Sequence, residues 1–132
     1  MNAPTPPPGS ARSRSPRSDP WQRALLGENT TVKDAISNLN DSSLQIALMV
    51  NSDGTLLGTL TDGDIRRGLL RGLSLEAPCE SLINREPLVV TPDLSAEAVL
   101  NLMRANKLHH LPVVDDERRV VGLHRWDELM SP

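Results

Sequence analysis

The stretch Gly58–Leu70, GTLTDGDIRRGLL, places hydroxyl, carboxylate and guanidinium groups between two apolar runs. Thr61 and Asp64 stand where an apolar run gives way to a helical pattern. At a helix N-terminus, a hydroxyl and free backbone N–H groups can bind phosphate or ribose oxygens. A carboxylate there can accept two hydrogen bonds from a ribose diol. Arg66 and Arg67 follow one turn into the helix and can neutralise phosphate.

The same residues also have a purely structural interpretation. A threonine that caps a helix and an aspartate in its first turn both stabilise the helix without any ligand. Arg66 and Arg67 then form a solvated helix face or pair with acids. Gly58, which precedes Thr61 in the run, is expected to let a ligand approach the backbone closely.

The other reactive side chains predict neither a metal centre nor a catalytic centre. His109 and His110 are neighbours, and neighbours on a strand point to opposite faces. Cys79 has no second cysteine with the spacing that zinc sites use. A catalytic site would need a nucleophile with a positioned base, which the sequence does not supply. We expect no metal, no required cofactor and no enzymatic activity, with His110 or His124 lining a cleft of the second repeat or packing in the core.

The composition restricts the class of partner. The chain of 132 residues has no Phe, no Tyr and two Trp, so its core must be aliphatic and it lacks aromatic platforms for nucleic-acid bases. A net charge of −3 argues against nucleic acid and against an anionic membrane surface. A single cysteine, no apolar run of membrane-spanning length and no signal-peptide pattern predict a cytoplasmic protein.

The chain divides into a tail and two units. Residues 1–20 include six Pro, four Ser and three Arg, and they are predicted to be a disordered tail because they offer almost no apolar surface to bury. The two units are predicted at residues 21–75 and 76–132, because the pattern of the first recurs in the second at one constant spacing. We call this spacing, which separates Gly58 from Gly122, the repeat offset.

Each unit begins with a predicted helix whose apolar face is expected to be core. Thr31 and Ser95, which are separated by the repeat offset, are placed to cap these helices. Two apolar sets follow the spacing of one helix face: Val32, Ala35, Ile36 and Leu39, then Ala96, Val99, Leu100 and Met103.

A strand, a polar turn and a second strand follow each first helix. The predicted strands are Ile46–Val50 and Leu56–Leu60 in the first unit, with Leu111–Val114 and Val120–His124 in the second. The predicted second helices run from about Asp64 to Arg71, ending at Gly72, and over Trp126–Met130.

The remaining elements are a short helical piece near Cys79–Ile83 and a strand at Leu88–Val90. Trp21–Leu26 opens the first unit as either a strand or a helix. Trp126 is expected to anchor the core or a dimer interface. The methionines expected in the core are Met49, Met103 and Met130.

Two β-α-β-β-α units in tandem resemble a CBS-domain pair, also called a Bateman module. The resemblance rests on IALMVNSDGTLLGTLTDGDIRRGLL in the first unit and HHLPVVDDERRVVGLHRWDEL in the second, and it covers residues 21–132. It implies an α+β fold in which tandem CBS repeats pack as a pseudo-twofold pair. TDGDIRRGLL is more narrowly similar to the CBS pairs attached to bacterial sugar nucleotidyltransferases and sugar-phosphate isomerases.

The resemblance also implies a ligand. CBS pairs usually sense adenine nucleotides, or related ligands such as S-adenosylmethionine, in clefts between the two repeats. The family motif G-h-x-[TS]-x-x-D is matched by Gly58, Thr61 and Asp64, and Arg66 and Arg67 complete the predicted ligand-binding set. The ligand is expected to be AMP, ADP or ATP.

The second repeat departs from this motif. The repeat offset leads from the first motif to Gly122, Arg125 and Glu128, so the hydroxyl becomes a bulky cation and the aspartate becomes a longer glutamate. We expect one competent site at most and a vestigial second cleft. Arg125 is expected either to bind an anion or to pair with a carboxylate there.

The resemblance favours a regulatory, non-enzymatic module that forms a homodimer. Nucleotide binding would bias the packing of the repeats and so modulate a partner or an attached sugar-nucleotide enzyme. The alternative is a ligand-free module for dimerisation and assembly. A third hypothesis is a detached part of a sugar nucleotidyltransferase or isomerase that retains regulation but no catalysis.

Overall fold

The computed structural model describes residues 20–131. The predicted tail therefore lies outside the described residues except for Pro20, and the limits of the two units stay predictions. The first unit contains a 3₁₀ turn at Pro20–Ala24, β1 (Leu25–Leu26), α1 (Val32–Ser42), β2 (Ala47–Val50), β3 (Leu56–Leu60) and α2 (Asp62–Leu70). The second contains a 3₁₀ turn at Cys79–Leu82, α3 (Ala96–Asn106), β4 (His110–Val114), β5 (Val120–Arg125) and α4 (Trp126–Met130).

The strands form one small sheet in each unit. In the first unit the order is β1-β2-β3, with β1 parallel to β2 and β2 antiparallel to β3. In the second unit β4 and β5 pair antiparallel. The architecture is α+β, as predicted, because the strand pairs form hairpins while the helices cover them.

The predicted strand Leu88–Val90 is reduced to a single bridge from Val90 to Val113. The Val90 N–H donates to the Pro112 carbonyl at 3.0 Å, and the Val90 carbonyl accepts from the Val114 N–H at 2.9 Å. Continuing this parallel ladder would require residue 112 to donate its N–H to the Leu88 carbonyl. Pro112 has no N–H, so the ladder stops there.

The backbone repeats with the same offset as the sequence. Ser43 and Lys107 end α1 and α3 in the left-handed conformation, at φ 60° and 56°. Gly54 and Arg118 hold the hairpin turns at φ 85° and 65°. The strand pairing is irregular between residues 49 and 50 and again between residues 113 and 114. The duplication is therefore a property of the backbone as well as of the sequence pattern.

The helix faces are buried over fewer positions than predicted. Thr31 and Ser95 cap α1 and α3 as expected. The fully or nearly buried positions are Val32, Ala35 and Leu39 in α1, and Val99 and Met103 in α3. Ile36 was expected in the core but is 37% exposed. Ala96 is exposed and Leu100 half-buried, because each helix packs on its sheet along one side and these positions lie on the flank.

The methionine and tryptophan predictions have mixed outcomes. Met49 and Met103 are buried, but Met130 is 52% exposed, so its placement in the core was wrong. It lies near the end of α4, a five-residue helix with no buried residue. Trp126 is half-buried against the core of the second unit, and the Arg104 guanidinium lies 5.6 Å from its ring centroid.

The two units share a core and a backbone connection. The Leu56 N–H donates to the Arg118 carbonyl at 2.9 Å, and the Val120 N–H donates to the Gly54 carbonyl at 3.0 Å. The buried side chains between the units are aliphatic: Ala24, Leu44, Ile46, Leu48 and Leu56 from the first, with Val114 and Leu123 from the second. The tandem units therefore pack as a pseudo-twofold pair, which places the end of β3 opposite the start of β4.

Candidate ligand-binding cleft

A cavity of about 340 Å³ lies between the two units. One wall comes from the first unit, where β3 ends and α2 begins, and carries Thr59, Thr61 and Asp64. The facing wall comes from the second unit, where α3 ends and β4 begins, and runs from Lys107 to His110. We call this cavity the first cleft.

Thr61 and Asp64 are held by a reciprocal capping box at the start of α2. The Asp64 N–H donates to the Thr61 hydroxyl at 3.4 Å. The Thr61 N–H and hydroxyl each donate to Asp64 Oδ2 at 3.0 Å. The structural interpretation of these two residues is therefore satisfied, and the same bonds fix both side chains at the cavity wall.

The second oxygen of Asp64 is held by Arg67. Arg67 Nη2 donates to Asp64 Oδ1 at 2.6 Å, and the two side chains are 64% and 19% exposed. An exposed ion pair of this kind contributes little to stability, so Arg67 can leave Oδ1 at small cost. A ribose hydroxyl that entered the cavity would compete with Arg67 for Oδ1.

Gly58, Arg66 and Arg67 are the three predicted ligand residues that the structure does not bring to the cavity lining. A Cβ at Gly58 would lie 2.5 Å from the Asn84 carbonyl oxygen and 2.9 Å from Ile83 Cδ1. The close approach that the glycine allows is thus made by the protein's own chain. Arg66 is exposed on α2. Contacts of Gly58, Thr61, Asp64, Arg66 and Arg67 with a ligand all stay predictions.

Asn84 lies in the segment that connects α2 to α3, which we call the connecting segment, and it bonds this segment to β3 beside the cavity. Its N–H donates to the Thr59 carbonyl at 2.8 Å, and its carbonyl accepts from the Thr59 N–H at 3.0 Å. This pair brings Asn84, Pro87 and Leu88 to the rim. Ile46 and Pro112, both buried, add apolar surface on the inside.

The facing wall carries the cationic and titratable groups that sequence reasoning did not assign to the first cleft. Lys107, His109 and His110 all border the cavity. Strand alternation was expected to send the two histidines to opposite faces, but β4 begins at His110 and leaves His109 outside the strand. Burial lowers the pKa of His110 below its ordinary value of 6.5, and nearby His109 and Arg125 act in the same direction, against the Leu44 backbone and Asp127.

The repeat pattern did not reveal this wall because it describes each unit separately. Which end of one unit faces which end of the other depends on the packing between units. The one available signal was the polar stretch Lys107–His110 between a predicted helix and a predicted strand. Within residues 20–131, no group of three or more His, Cys, Asp or Glu is placed to hold a metal ion.

The pseudo-equivalent second cleft is divided. One part of about 90 Å³ is bordered by Ser43, Gln45 and His110, and another part of about 170 Å³ is bordered by Trp21. Arg125 borders both parts. His124, which was expected to line this cleft or to pack, is half-buried in β5 and borders neither part.

Arg125 pairs with a carboxylate, which was one of the two roles predicted for it. Its Nη2 lies 3.7 Å from Glu128 Oε2, and the two side chains are 32% and 61% exposed.

None of the helices in the described part of the chain combines the length and the apolar character that crossing a bilayer requires.

Sequence comparison shows where relatives of this chain occur. The chain is 32% identical over 96 residues to a probable arabinose 5-phosphate isomerase of Haemophilus influenzae, covering 71% of this chain and 28% of that protein. It is 29% identical over 109 residues to the arabinose 5-phosphate isomerase KdsD of Pseudomonas aeruginosa, covering 82% and 33% respectively. The chain thus spans about a third of the length of the curated relatives it matches.

Solved structures share the fold. A CBS domain protein from Pyrobaculum aerophilum in complex with AMP superposes with a TM-score of 0.73 at 21% identity, covering 83% of this chain and 84% of that one. The CBS domain pair of protein MJ0100, in complex with 5′-methylthioadenosine and S-adenosyl-L-methionine, gives a TM-score of 0.70 at 25% identity, covering 80% and 82%. The family profile described as CBS domain matches residues 23–71 and again residues 79–123. The chain therefore belongs to the CBS domain family, as a tandem pair of CBS repeats.

Proposed function

We propose that the protein is a regulatory module that binds an adenine nucleotide in the first cleft and thereby modulates an enzyme to which it is attached or bound. The observation that carries the proposal is the pair of facing walls around one cavity of about 340 Å³. Each repeat supplies one wall. A ligand that fills the cavity contacts both repeats at once, so its binding energy depends on how they pack.

The first cleft offers different surroundings to the two ends of a nucleotide. Ile46, Leu88 and Pro112 supply apolar surface that suits a base. Lys107 and the neighbouring histidines supply donors that suit phosphate oxygens. The arrangement favours an anion with a flat apolar group over a neutral or purely polar metabolite.

The capping box supports the role we propose for Asp64, which is to accept hydrogen bonds from a ribose. Oδ1 becomes free when the exposed Arg67 moves, and Oδ2 stays fixed by Thr61. Arg67, once released, stays within one helix turn of the cavity and can follow the phosphate. The adenine base is the part of the proposal that rests on comparison, since the proteins of similar fold hold AMP or S-adenosylmethionine and its relative.

The partner we propose is a sugar-phosphate isomerase, because two relatives that contain a similar pair are named as arabinose 5-phosphate isomerases. The role proposed for the module is regulatory and not catalytic. A cytoplasmic location belongs to the same proposal, since the nucleotides and sugar phosphates concerned are intracellular metabolites.

The test is a calorimetric titration of AMP, ATP and adenosine into the wild-type protein and two matched variants. Asp64→Ala should weaken nucleotide binding about tenfold to a few hundredfold, because each hydrogen bond to a charged group is worth roughly 1.5–3 kcal/mol and such bonds do not add fully. Glu128→Ala, the equivalent change in the second repeat, should leave binding nearly unchanged. Adenosine should bind more weakly than AMP if the facing wall, from Lys107 to His110, receives the phosphate.

Absence of binding by all three ligands to the wild-type protein would contradict the proposal. Equal weakening by both variants would show that binding does not distinguish the first cleft from the second. Each variant must first show a cooperative thermal melt, so that a loss of binding is separated from a loss of fold.

A ligand-free assembly module is the second candidate, and exposed leucines support it. Leu69, Leu70 and Leu75 are 38%, 80% and 43% exposed, at and beyond the end of α2. Exposed leucines this close together in sequence favour a surface that another protein covers. Light scattering of the wild type and of the Leu70→Glu variant tests this candidate and the proposed homodimer. If either holds, the substitution should shift the measured mass towards that of one chain.

A further inference from the structure

The second cleft keeps the backbone of the first. Ser43 and Gln45 correspond to Lys107 and His109 through the repeat offset, and both pairs lie at a junction between a helix and a strand. Ser43 and Lys107 share the left-handed conformation. The facing wall, at the end of β5, also corresponds in register to the end of β3. A second ligand site is thus laid out by the fold itself.

The side chains at this wall interrupt the space. Arg125 stands at the position of Thr61 and borders both parts of the second cleft, about 90 Å³ and about 170 Å³. The first cleft holds about 340 Å³ in one piece. Pockets for small organic ligands occupy roughly 300–1,000 Å³, so the first cleft is large enough and neither part of the second is.

Arg125 lies at this wall with a partly buried side chain and a loose ion pair. Its side chain is 32% exposed, and its ion-pair partner Glu128 lies 3.7 Å away and is 61% exposed. Thr61 differs from Arg125, because its short side chain bonds to Asp64 in its own helix and leaves the first cleft open. One side chain therefore separates an open cleft from a divided one.

We propose that Arg125 restricts the protein to one nucleotide per chain by filling the second cleft. This inference rests on the proposed function, because it takes the ligand of the second cleft to be of the same class as that of the first. It goes further in assigning the number of sites to one residue. Removing the guanidinium joins the two parts of the cleft, and an aspartate in place of Glu128 withdraws the carboxylate to the depth of Asp64.

The experiment is a calorimetric titration of AMP and ATP that measures the number of sites per chain. The variants are Arg125→Thr and Arg125→Thr/Glu128→Asp, which restore the residue types of the first cleft. Arg125→Lys is the matched control, because it keeps a long cation in the same place. We expect one site in the wild type and in Arg125→Lys, and two sites in the double variant.

An Asp64→Ala background separates the new site from the old one. In that background the double variant should still bind one nucleotide, now in the second cleft. Its affinity should be near that of the second site in the double variant that keeps Asp64. The Arg125→Ala variant, which opens the cleft with the smallest change in shape, serves if the double variant does not melt cooperatively.

The outcomes distinguish this inference from the proposed function. One site in a folded double variant, or two sites in the wild type, overturns the role of Arg125 and leaves the proposed function standing. No site in the wild type with one site in the double variant overturns the proposed function and leaves the role of Arg125 standing. Binding to neither protein overturns both.

Discussion

The first and second clefts share a backbone and differ in their side chains at equivalent positions. Gly58, Thr61 and Asp64 in the first correspond to Gly122, Arg125 and Glu128 in the second. Thr61 and Asp64 bond to each other and leave a continuous cavity. Arg125 and Glu128 form a looser pair that lies in the space itself. Duplication of a fold thus copies the position of a cleft but not its opening.

The two glycines teach a second difference. A Cβ at Gly58 would lie 2.5 Å from a backbone oxygen of Asn84, whereas a Cβ at Gly122 would lie 3.5 Å from Val113 Cβ, an ordinary contact. The connecting segment packs directly on β3, and nothing in the described chain packs so closely on the same point of β5. The glycine of the motif is a packing requirement in the first repeat alone.

The largest expected effect is on stability, from Gly58→Ala. The new methyl group must push the Asn84 backbone away, and overpacking of this kind costs roughly 1–3 kcal/mol or more. Gly122→Ala should change the free energy of unfolding by less than about 1 kcal/mol, because the Cβ fits and the unfolded chain loses entropy. Urea denaturation of both variants measures the difference. Similar unfolding midpoints for the two variants would contradict the asymmetry of the packing.

The Asp64→Ala variant should show the next largest effect. It removes two hydrogen bonds from Thr61 and the acceptor of Arg67, so we expect the free energy of unfolding to fall by about 1–2 kcal/mol. Glu128→Ala should cost no more than about 0.5 kcal/mol, because its ion pair is long and exposed. Thermal melts without nucleotide measure both. A loss for Glu128→Ala as large as that for Asp64→Ala would show that the second pair is as structural as the first.

The sequence predicted the elements of the first cleft better than its shape. The repeat offset was enough to place both hairpins and both N-caps, because each depends on local patterns. The second helix of the first unit was predicted from about Asp64 and begins at Asp62. The burial of Ile36 and Met130 was predicted wrongly, since a helical period does not say how wide a contact the neighbouring sheet makes. The position of the facing wall, from Lys107 to His110, depends on contacts between units that are far apart in sequence. No local pattern encodes such contacts.

The smallest expected effect concerns His110, which borders both clefts. Burial, together with the proximity of His109 and Arg125, holds its pKa below the ordinary value of 6.5, while the Leu44 backbone and Asp127 act in the opposite direction. His110 is therefore neutral near pH 7 in the free protein.

A bound phosphate should raise the pKa of His110, because the anion stabilises the imidazolium. Nucleotide binding then takes up a proton, and affinity rises as the pH falls from about 8 towards 6. The second ionisation of a phosphate, near pH 6, opposes this gain and must be subtracted. The measurement compares AMP affinity at both pH values in the wild type and in His110→Gln. We expect the variant to lose a part of the pH dependence on the order of twofold to fivefold, which corresponds to well under 1.4 kcal/mol. Identical pH profiles would place the phosphate away from His110, towards Lys107, the exposed lysine that borders the first cleft.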